Sequence, residues 1–175
     1  MASELSQIKA FTFDIDGVMT DGGILCDLQG NLYRTFDAKD GFAVRMAVMN
    51  GYPVGVITGG RSGSIRERFR SCGVPAEDVY LGSSDKITDF DDFCSRHGLR
   101  REEVAFFGDD IPDVEVILAA GIGIAPADAV PQAKAAADYV SPCPGGKGCI
   151  REFFEKAMEA AGRWNYETAE YKKIF

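Results

Sequence analysis

Polar residues follow apolar stretches at four points of this chain, and that order restricts the possible folds more than any other feature. Asp14-Ile15-Asp16 and Gly108-Asp109-Asp110 each end an apolar run, and between them lie Ile57-Thr58-Gly59 and Asp85-Lys86. Short apolar runs are typical of strands buried on both faces, and an open parallel sheet binds ligands at the carboxyl ends of its strands. We therefore predict that carboxylates, a hydroxyl group and a lysine meet at one edge of a sheet.

Apolar and amphipathic segments alternate along the chain. The predicted strands are 8–13, 53–57, 79–81, 104–107, 121–125 and 139–140, and the predicted helices are 40–50, 62–72, 86–96, 114–120, 130–137 and 149–161. This alternation implies a parallel sheet, and the predicted fold class is a three-layer, Rossmann-like α/β fold. The 175 residues favour a single domain, 1–175, with a projecting β-hairpin at about 22–36 and a polar tail at about 162–175.

Composition excludes several classes of partner. A formal net charge of −8 disfavours general nucleic-acid binding, which needs a basic surface. Apolar runs are too short for a membrane span, and the N-terminus lacks the pattern of a signal peptide. Five scattered cysteines favour reduced thiols over a disulfide framework. We therefore expect a cytoplasmic protein that binds neither nucleic acid nor membranes, while a small anionic substrate stays compatible with the charge.

The first polar segment has the composition of a phosphoryl-transfer site. Asp14 and Asp16 are two positions apart, so in an extended strand both side chains point the same way. Carboxylates this close repel each other unless a cation joins them, and Mg²⁺ prefers hard oxygen ligands. With the charge neutralised, one carboxylate is a competent nucleophile toward phosphorus and the other can protonate the departing oxygen. The pattern indicates a Mg²⁺-dependent phosphoryl-transfer enzyme.

The four segments together resemble the four motifs of the haloacid dehalogenase superfamily of phosphatases. Asp14-Ile15-Asp16-Gly17-Val18 is similar to the first motif, and Thr58 to the second. Lys86 is similar to the third, and Gly108-Asp109-Asp110-x-x-Asp113 to the fourth. Because four motifs match in order, the resemblance is specific although each motif alone is weak.

The resemblance implies a role for each matched residue. Asp14 would be the nucleophile that becomes an aspartyl-phosphate. Asp16 would be the general acid and then the base for water, and its backbone carbonyl would bind Mg²⁺ together with Asp14 and Asp109. Thr58 and the Gly59 amide would hold the phosphoryl oxygens.

The resemblance also implies roles around these groups. Lys86 would neutralise charge at Asp14 and the phosphate, and a solvated helix start is the alternative for this lysine. Asp110 and Asp113 would orient water and Lys86 from outside the metal's ligand shell. For Asp113, capping of the following helix is an equal alternative.

The chain has no room for the cap domain that many members of the superfamily carry. Segments 17–51 and 60–85 are too short to hold one. An open site admits water, so either the substrate is a macromolecule or a neighbouring subunit acts as the lid. The hairpin favours a subunit interface, with packing onto its own core as the alternative. Its large apolar side chains are Ile24, Leu25, Leu28, Leu32, Tyr33 and Phe36.

Three further segments resemble the capless branch of the superfamily, which forms tetramers. They are Asp16-Gly-Val-x-Thr-Asp-Gly-Gly, Phe36-x-x-x-Asp40-Gly41, and Gly145-Gly146-Lys147-Gly148 followed by Arg151-Glu152-Phe153. The resemblance covers nearly the whole chain and implies a homotetramer that acts on a phosphorylated sugar acid.

Residues near the second motif bear on the substrate. Arg61 and Arg68 are seven positions apart, share one helix flank, and suit a carboxylate beside Thr58. Gly60 together with Arg68 resembles the enzymes for the 8-carbon substrate 3-deoxy-D-manno-octulosonate 8-phosphate, an intermediate of lipopolysaccharide precursor synthesis. We therefore predict Gly59, Gly60, Arg61 and Arg68 as substrate-binding residues.

Other functions stay open at this point. The first alternative is a phosphatase for 9-carbon sugar-acid 9-phosphates, and a weaker one is a phosphoprotein phosphatase. A phospho-accepting signalling module also combines acidic residues, a hydroxyl group and a lysine on a parallel sheet. Such modules lack a second carboxylate two positions after the phospho-acceptor, so Asp16 disfavours this class. The joint presence of the motif residues likewise disfavours a non-catalytic scaffold.

Overall fold

The strands form one parallel sheet and one small hairpin in the computed structural model, which describes residues 5–164. Six strands form the sheet in the order β5-β4-β1-β6-β7-β8, and every neighbouring pair is parallel. They are β1 (Ala10–Phe13), β4 (Val54–Thr58), β5 (Val79–Leu81), β6 (Val104–Phe107), β7 (Ile122–Ala125) and β8 (Tyr139–Val140). The antiparallel hairpin consists of β2 (Leu25–Cys26) and β3 (Leu32–Tyr33).

Helices cover both faces of the sheet, which confirms the predicted three-layer fold. They are α1 (Ala38–Met49), α2 (Gly63–Ser71), α3 (Lys86–Arg96), α4 (Val114–Ala119), α5 (Pro131–Ala136) and α6 (Cys149–Ala160). Side chains of α1, α2 and α6 join one apolar core, and those of α3 and α4 join the other. In the described part of the chain, no helix has the length and apolar character needed to cross a membrane.

The two cores follow from the alternation of side chains along the buried strands. In β1, Phe11 and Phe13 point into the first core, and Ala10 belongs to the second. The ring of Phe11 stacks on that of Phe154 in α6 with 4.0 Å between their centroids. Because both faces of β1 are buried, the strand is apolar up to Asp14, where it reaches the edge of the sheet.

The predicted element bounds agree with the observed ones to within two residues for each sheet strand and helix. The hairpin strands are shorter than the alternating pattern from 22 to 36 suggests. The reason is the turn between them, where the Asp27 carboxylate accepts hydrogen bonds from the Gln29 and Asn31 amides at 2.9 and 2.8 Å. The predicted tail at about 162–175 lies, from residue 165 onward, outside the described residues.

A buried carboxylate joins the first helix to the last. Asp40 in α1 is fully buried, and its carboxylate accepts hydrogen bonds from the amides of Gly148 at 3.1 Å and Arg151 at 2.8 Å. These amides lie at the start of α6, where backbone N–H groups have no partner within the helix. Asp40 therefore caps α6 from a distant part of the chain.

We expect Asp40→Ala to lower the free energy of unfolding by about 2 kcal/mol, because it leaves buried backbone amides without an acceptor. Urea denaturation monitored by circular dichroism measures this change. Glu159→Ala, on the exposed side of α6, is the control and should change stability by less than about 0.5 kcal/mol. Equal stability of the two variants would contradict the capping role.

Candidate active site

A pocket of about 400 Å³ opens at the carboxyl edge of the sheet. Its position follows from the strand order, because β4, β1 and β6 are neighbours and their polar C-terminal residues meet there. Its lining brings together most of the predicted site residues and adds two serines and a proline. The lining residues are Asp14, Asp16, Thr58, Gly59, Gly60, Ser83, Ser84, Lys86, Asp109, Asp110, Pro112 and Asp113.

Asp14 is the most deeply held carboxylate on the β1 side of this pocket. Its Oδ2 atom lies 2.8 Å from the Lys86 Nζ atom, and its Oδ1 atom accepts a hydrogen bond from the Ile15 amide at 2.6 Å. Burial, followed by the charge of Asp113, raises the pKa of Asp14, and Lys86 opposes both, so that the pKa is about 6. The Asp14 carboxylate is therefore fixed in orientation, but Lys86 does not fully compensate its negative charge.

Lys86 begins α3 and is buried between two carboxylates. Its Nζ atom donates to Asp113 Oδ1 at 2.6 Å and lies close to Asp14 as well. Burial alone would lower the pKa of Lys86, but Asp14 and Asp113 hold it above its ordinary value. The side chain is therefore a buried cation, and a solvated surface position is excluded.

Asp113 contacts Lys86 and does not cap the following helix α4, because its side chain makes no hydrogen bond at the start of that helix. Its Oδ1 atom accepts from Lys86, while Oδ2 accepts from the amides of Asp109 at 3.0 Å and Asp110 at 3.3 Å. Asp110 in turn accepts from the Ile111 amide at 2.7 Å and caps the turn Ile111–Asp113. Asp113 thus fixes both the lysine and the loop that carries Asp109.

Asp109 offers an oxygen that no group in the described residues satisfies. Its Oδ1 atom is buried without a hydrogen-bond partner, and burial with the charges of Asp113 and Asp14 raises the pKa of Asp109 to about 7. Carboxylate oxygens of Asp14, Asp109 and Asp113 lie within 4.8 Å of one another. Because hard oxygen donors and unbalanced negative charge are what Mg²⁺ requires, these residues fit a divalent cation.

The loop after β1 leaves room for Asp109 by having a glycine at position 17. A Cβ atom there would lie 2.0 Å from Asp109 Oδ2, and the backbone of Gly17 has a φ of +89°. On its other side, a Cβ on Gly145 would lie 1.9 Å from the Gly17 carbonyl oxygen, and the Gly146 amide donates to Val18 O at 2.8 Å. The glycine-rich turn before α6 therefore supports the loop that carries Asp16.

Asp16 pairs with an arginine that the sequence analysis missed. Arg34, just after β3, donates from Nε to Asp16 Oδ1 at 2.6 Å and from Nη2 to Oδ2 at 2.8 Å. The two residues are 18 positions apart, and a hairpin with two-residue strands gives little periodic signal for the direction of one side chain. A basic residue at the base of a flap between two motifs was the available clue.

Thr58 and the glycines after it form a tight loop beside Asp14. The Gly60 amide donates to Thr58 Oγ1 at 3.1 Å, and the Ser83 amide donates to the Thr58 carbonyl at 2.9 Å. Gly59 and Gly60 both line the pocket. A Cβ on Gly60 would lie 2.9 Å from Ile65 Cδ1, so close packing gives a reason for glycine there that is independent of the predicted substrate contact.

The two arginines predicted to bind substrate lie elsewhere. Among the described residues, neither Arg61 nor Arg68 lines this pocket. Arg61 lies beside Gly82 at a separate cavity under the hairpin, and the guanidinium of Arg68 lies over the Phe36 ring at 5.8 Å. The helical wheel placed Arg68 on the correct helix but gave no information on which neighbour it contacts. The pocket of the isolated chain does not support Arg68 as a contact, and both residues stay predictions.

The fold and the site together define the class of protein. It is an α/β protein with paired carboxylates, a threonine, a buried lysine and a third carboxylate near the carboxyl ends of parallel strands. A family model for haloacid dehalogenase-like hydrolases matches residues 68–150. The 3-deoxy-D-manno-octulosonate 8-phosphate phosphatase of Escherichia coli K12 is 32% identical over 92% of this chain and 85% of its own. The chain belongs to the haloacid dehalogenase-like hydrolase family.

Solved structures of similar proteins have the same fold. The phosphatase of this name from Yersinia pestis is 31% identical, with a TM-score of 0.89 over 93% of this chain and 86% of that one. The phosphatase from Moraxella catarrhalis is 28% identical, with a TM-score of 0.88 over 92% of this chain and 91% of that one. Its crystal structure contains a magnesium ion, a phosphate ion and a KDO molecule.

We expect Asp109→Asn to weaken Mg²⁺ binding at least about tenfold, because it removes a charged oxygen ligand. The same variant should raise the thermal midpoint of the metal-free protein, since it relieves repulsion among buried carboxylates. Isothermal titration calorimetry and thermal denaturation measure the two effects. Glu115→Gln, exposed on α4, makes the same change of charge and should leave Mg²⁺ affinity unaltered. Unchanged affinity in Asp109→Asn would show that the cation binds elsewhere.

Proposed function

We propose that this chain hydrolyses the phosphate ester of 3-deoxy-D-manno-octulosonate 8-phosphate to inorganic phosphate and the free sugar acid. One observation carries the chemistry: Asp14 is held by Lys86 in a pocket that Asp16, Thr58 and Asp109 also line. Similarity to phosphatases of that name supports the substrate. The reaction belongs to lipopolysaccharide precursor synthesis, and we assign the protein to the cytoplasm.

In the first half of the reaction, an Asp14 oxygen attacks phosphorus in line with the ester oxygen. The bond from phosphorus to the ester oxygen breaks, and protonated Asp16 gives its proton to the departing alkoxide. Lys86 stabilises the negative charge of Asp14 and the phosphoryl oxygens. Thr58 and the Gly59 amide hold those oxygens. The products of this half are the sugar acid and an aspartyl-phosphate.

In the second half, the Asp16 carboxylate removes a proton from water. The water oxygen bonds to phosphorus as the bond from phosphorus to Asp14 breaks, which releases inorganic phosphate. Asp16 is then protonated and Asp14 is a free carboxylate, so the site is ready for another substrate. Water molecules that do not take part in the reaction are kept out only when a lid covers the pocket.

Mg²⁺ is the cofactor that this site fits. Asp14, Asp109 and the backbone carbonyl of Asp16 would hold it, with Asp110 and Asp113 outside the ligand shell. When bound, the ion supplies positive charge that reduces repulsion between the carboxylates and the phosphoryl group. The unpartnered Asp109 oxygen and the magnesium ion in the Moraxella catarrhalis structure support this assignment.

Selectivity for the sugar acid would depend on residues near Thr58. Gly60 at the pocket agrees with the 8-carbon substrate, but its packing against Ile65 gives it a second explanation. Arg61 and Arg68 remain the predicted contacts of the substrate carboxylate. The substrate would reach them in an oligomer whose pocket extends over both residues. The 9-carbon sugar-acid phosphates are the alternative substrates.

We propose further that residues 1–175 act as one catalytic domain in a homotetramer, with a neighbouring subunit as the lid of each pocket. The exposed apolar side chains of the hairpin support a subunit interface over packing onto its own core. Leu25 is 70% exposed and Leu28 is fully exposed. Phe36, in contrast, packs against the core. The hairpin thus exposes several of its apolar side chains to solvent.

With Mg²⁺ present, we expect kcat/KM for phosphate release to be at least about tenfold higher for the 8-carbon ester than for a 9-carbon sugar-acid 9-phosphate, a difference of about 1.4 kcal/mol in transition-state binding. A coupled assay for inorganic phosphate measures both rates. Asp14→Asn, purified in parallel, controls for contaminating phosphatases and should show no turnover. Preference for the 9-carbon ester would overturn the substrate assignment and leave the chemistry intact.

We expect Leu25→Asp with Leu28→Asp to yield a smaller assembly, because charges on an apolar interface remain unpaired when it forms. Light scattering after size-exclusion chromatography measures the mass, and steady-state kinetics should show a raised KM from the loss of the lid. Leu118→Asp is the matched control, since Leu118 is 67% exposed on α4, outside the hairpin. An unchanged mass in the hairpin variant would contradict the proposed interface.

A further inference from the structure

Arg34 is a buried cation beside the active site that the mechanism above does not use. Its side chain is only 3% exposed. Nε and Nη2 bind the two oxygens of Asp16, but Nη1 is buried and has no hydrogen-bond partner among the described residues. Burial of an N–H group without an acceptor costs free energy, because the group loses its hydrogen bonds to water. We therefore expect Nη1 to have a partner in the working enzyme.

The surroundings of Arg34 define what that partner is. On one side lies Asp16, the proposed acid, and on the other the loop of Gly60, where a Cβ would lie 3.2 Å from Arg34 Nη2. Gly60 follows Thr58 and Gly59, the proposed holders of the phosphoryl oxygens. A guanidinium binds a carboxylate along one edge and keeps donors for a second anion, and its fork geometry suits phosphate.

We propose that Arg34 is a phosphate-binding residue whose Nη1 group donates to a phosphoryl oxygen of the substrate and of the inorganic phosphate product. The inference rests on the proposed function and extends it, because it adds a cation from the hairpin to the groups that hold the phosphoryl group. The pair with Asp16 fixes the guanidinium plane, so the unused donor is oriented before the substrate arrives. Little side-chain entropy then remains to be lost on binding.

The test must separate direct contact with phosphate from an effect through the Asp16 charge. Asp16→Asn removes that charge. The Asp16→Asn variant is therefore compared with the double variant that carries both Asp16→Asn and Arg34→Ala, which is one half of a double-mutant cycle. Binding of inorganic phosphate in saturating Mg²⁺ is measured by isothermal titration calorimetry. Arg70→Ala is the matched control, because Arg70 is 71% exposed on α2 and pairs with Glu67.

We expect Arg34→Ala to weaken phosphate binding roughly 10- to 100-fold in the Asp16→Asn background, the range for a lost hydrogen bond to a charged group. Arg34→Lys should restore part of the loss, and Arg70→Ala should leave the affinity within about twofold. Circular dichroism checks folding, and Arg34→Gln replaces the alanine variant if that one is unfolded.

Equal phosphate affinity with and without Arg34 in the Asp16→Asn background would overturn the proposal and leave Arg34 as a partner of Asp16 alone. Failure of the proposed function would look different. The wild-type protein would then not turn over the 8-carbon ester, whereas its binding of inorganic phosphate would still depend on Arg34.

Discussion

The contact of Lys86 with Asp14 and Asp113 is the interaction on which the rest of the site depends. It joins the end of β1, the loop after β6 and the start of α3, with Nζ–O distances of 2.8 and 2.6 Å. In the described part of the chain, the cluster of Asp14, Asp109 and Asp113 sets three carboxylates against the one charge of Lys86. Since buried charges need compensation, the packing that closes this sheet edge also creates a site for a further cation.

The geometry of the first loop depends on residues more than a hundred positions away. Gly145 and Gly146 approach the backbone of Gly17 and Thr20 so closely that no Cβ fits, and Asp40 fixes the helix that follows the glycine-rich turn. Residues that do not line the pocket therefore help to determine where Asp16 lies. Their contribution is positional, and it explains why segments outside the four motifs resemble the same branch of the family.

The sequence was sufficient for the layers, the element bounds and the meeting of Asp14, Thr58, Lys86 and Asp109, because each signal is local: apolar periodicity ending in polar groups at parallel strand ends. It was insufficient for Arg34 and Arg68. A helical wheel gives an angle about one axis, and the partner of a long side chain depends on which neighbour packs there. The choice between a helix cap and a lysine partner for Asp113 also depended on the three-dimensional structure, in which Asp113 contacts Lys86 and does not cap α4.

The hairpin connects the two proposals through its geometry. Arg34, directly after β3, is buried against Asp16, while Leu25 in β2 and Leu28 in the turn are exposed to solvent. The two strands of the hairpin are only two residues long, so the hairpin has little internal packing of its own to fix its position. A subunit seated on the leucines would restrict the hairpin and thereby the guanidinium. Because such linkage is reciprocal, phosphate held by Arg34 would in turn stabilise the interface.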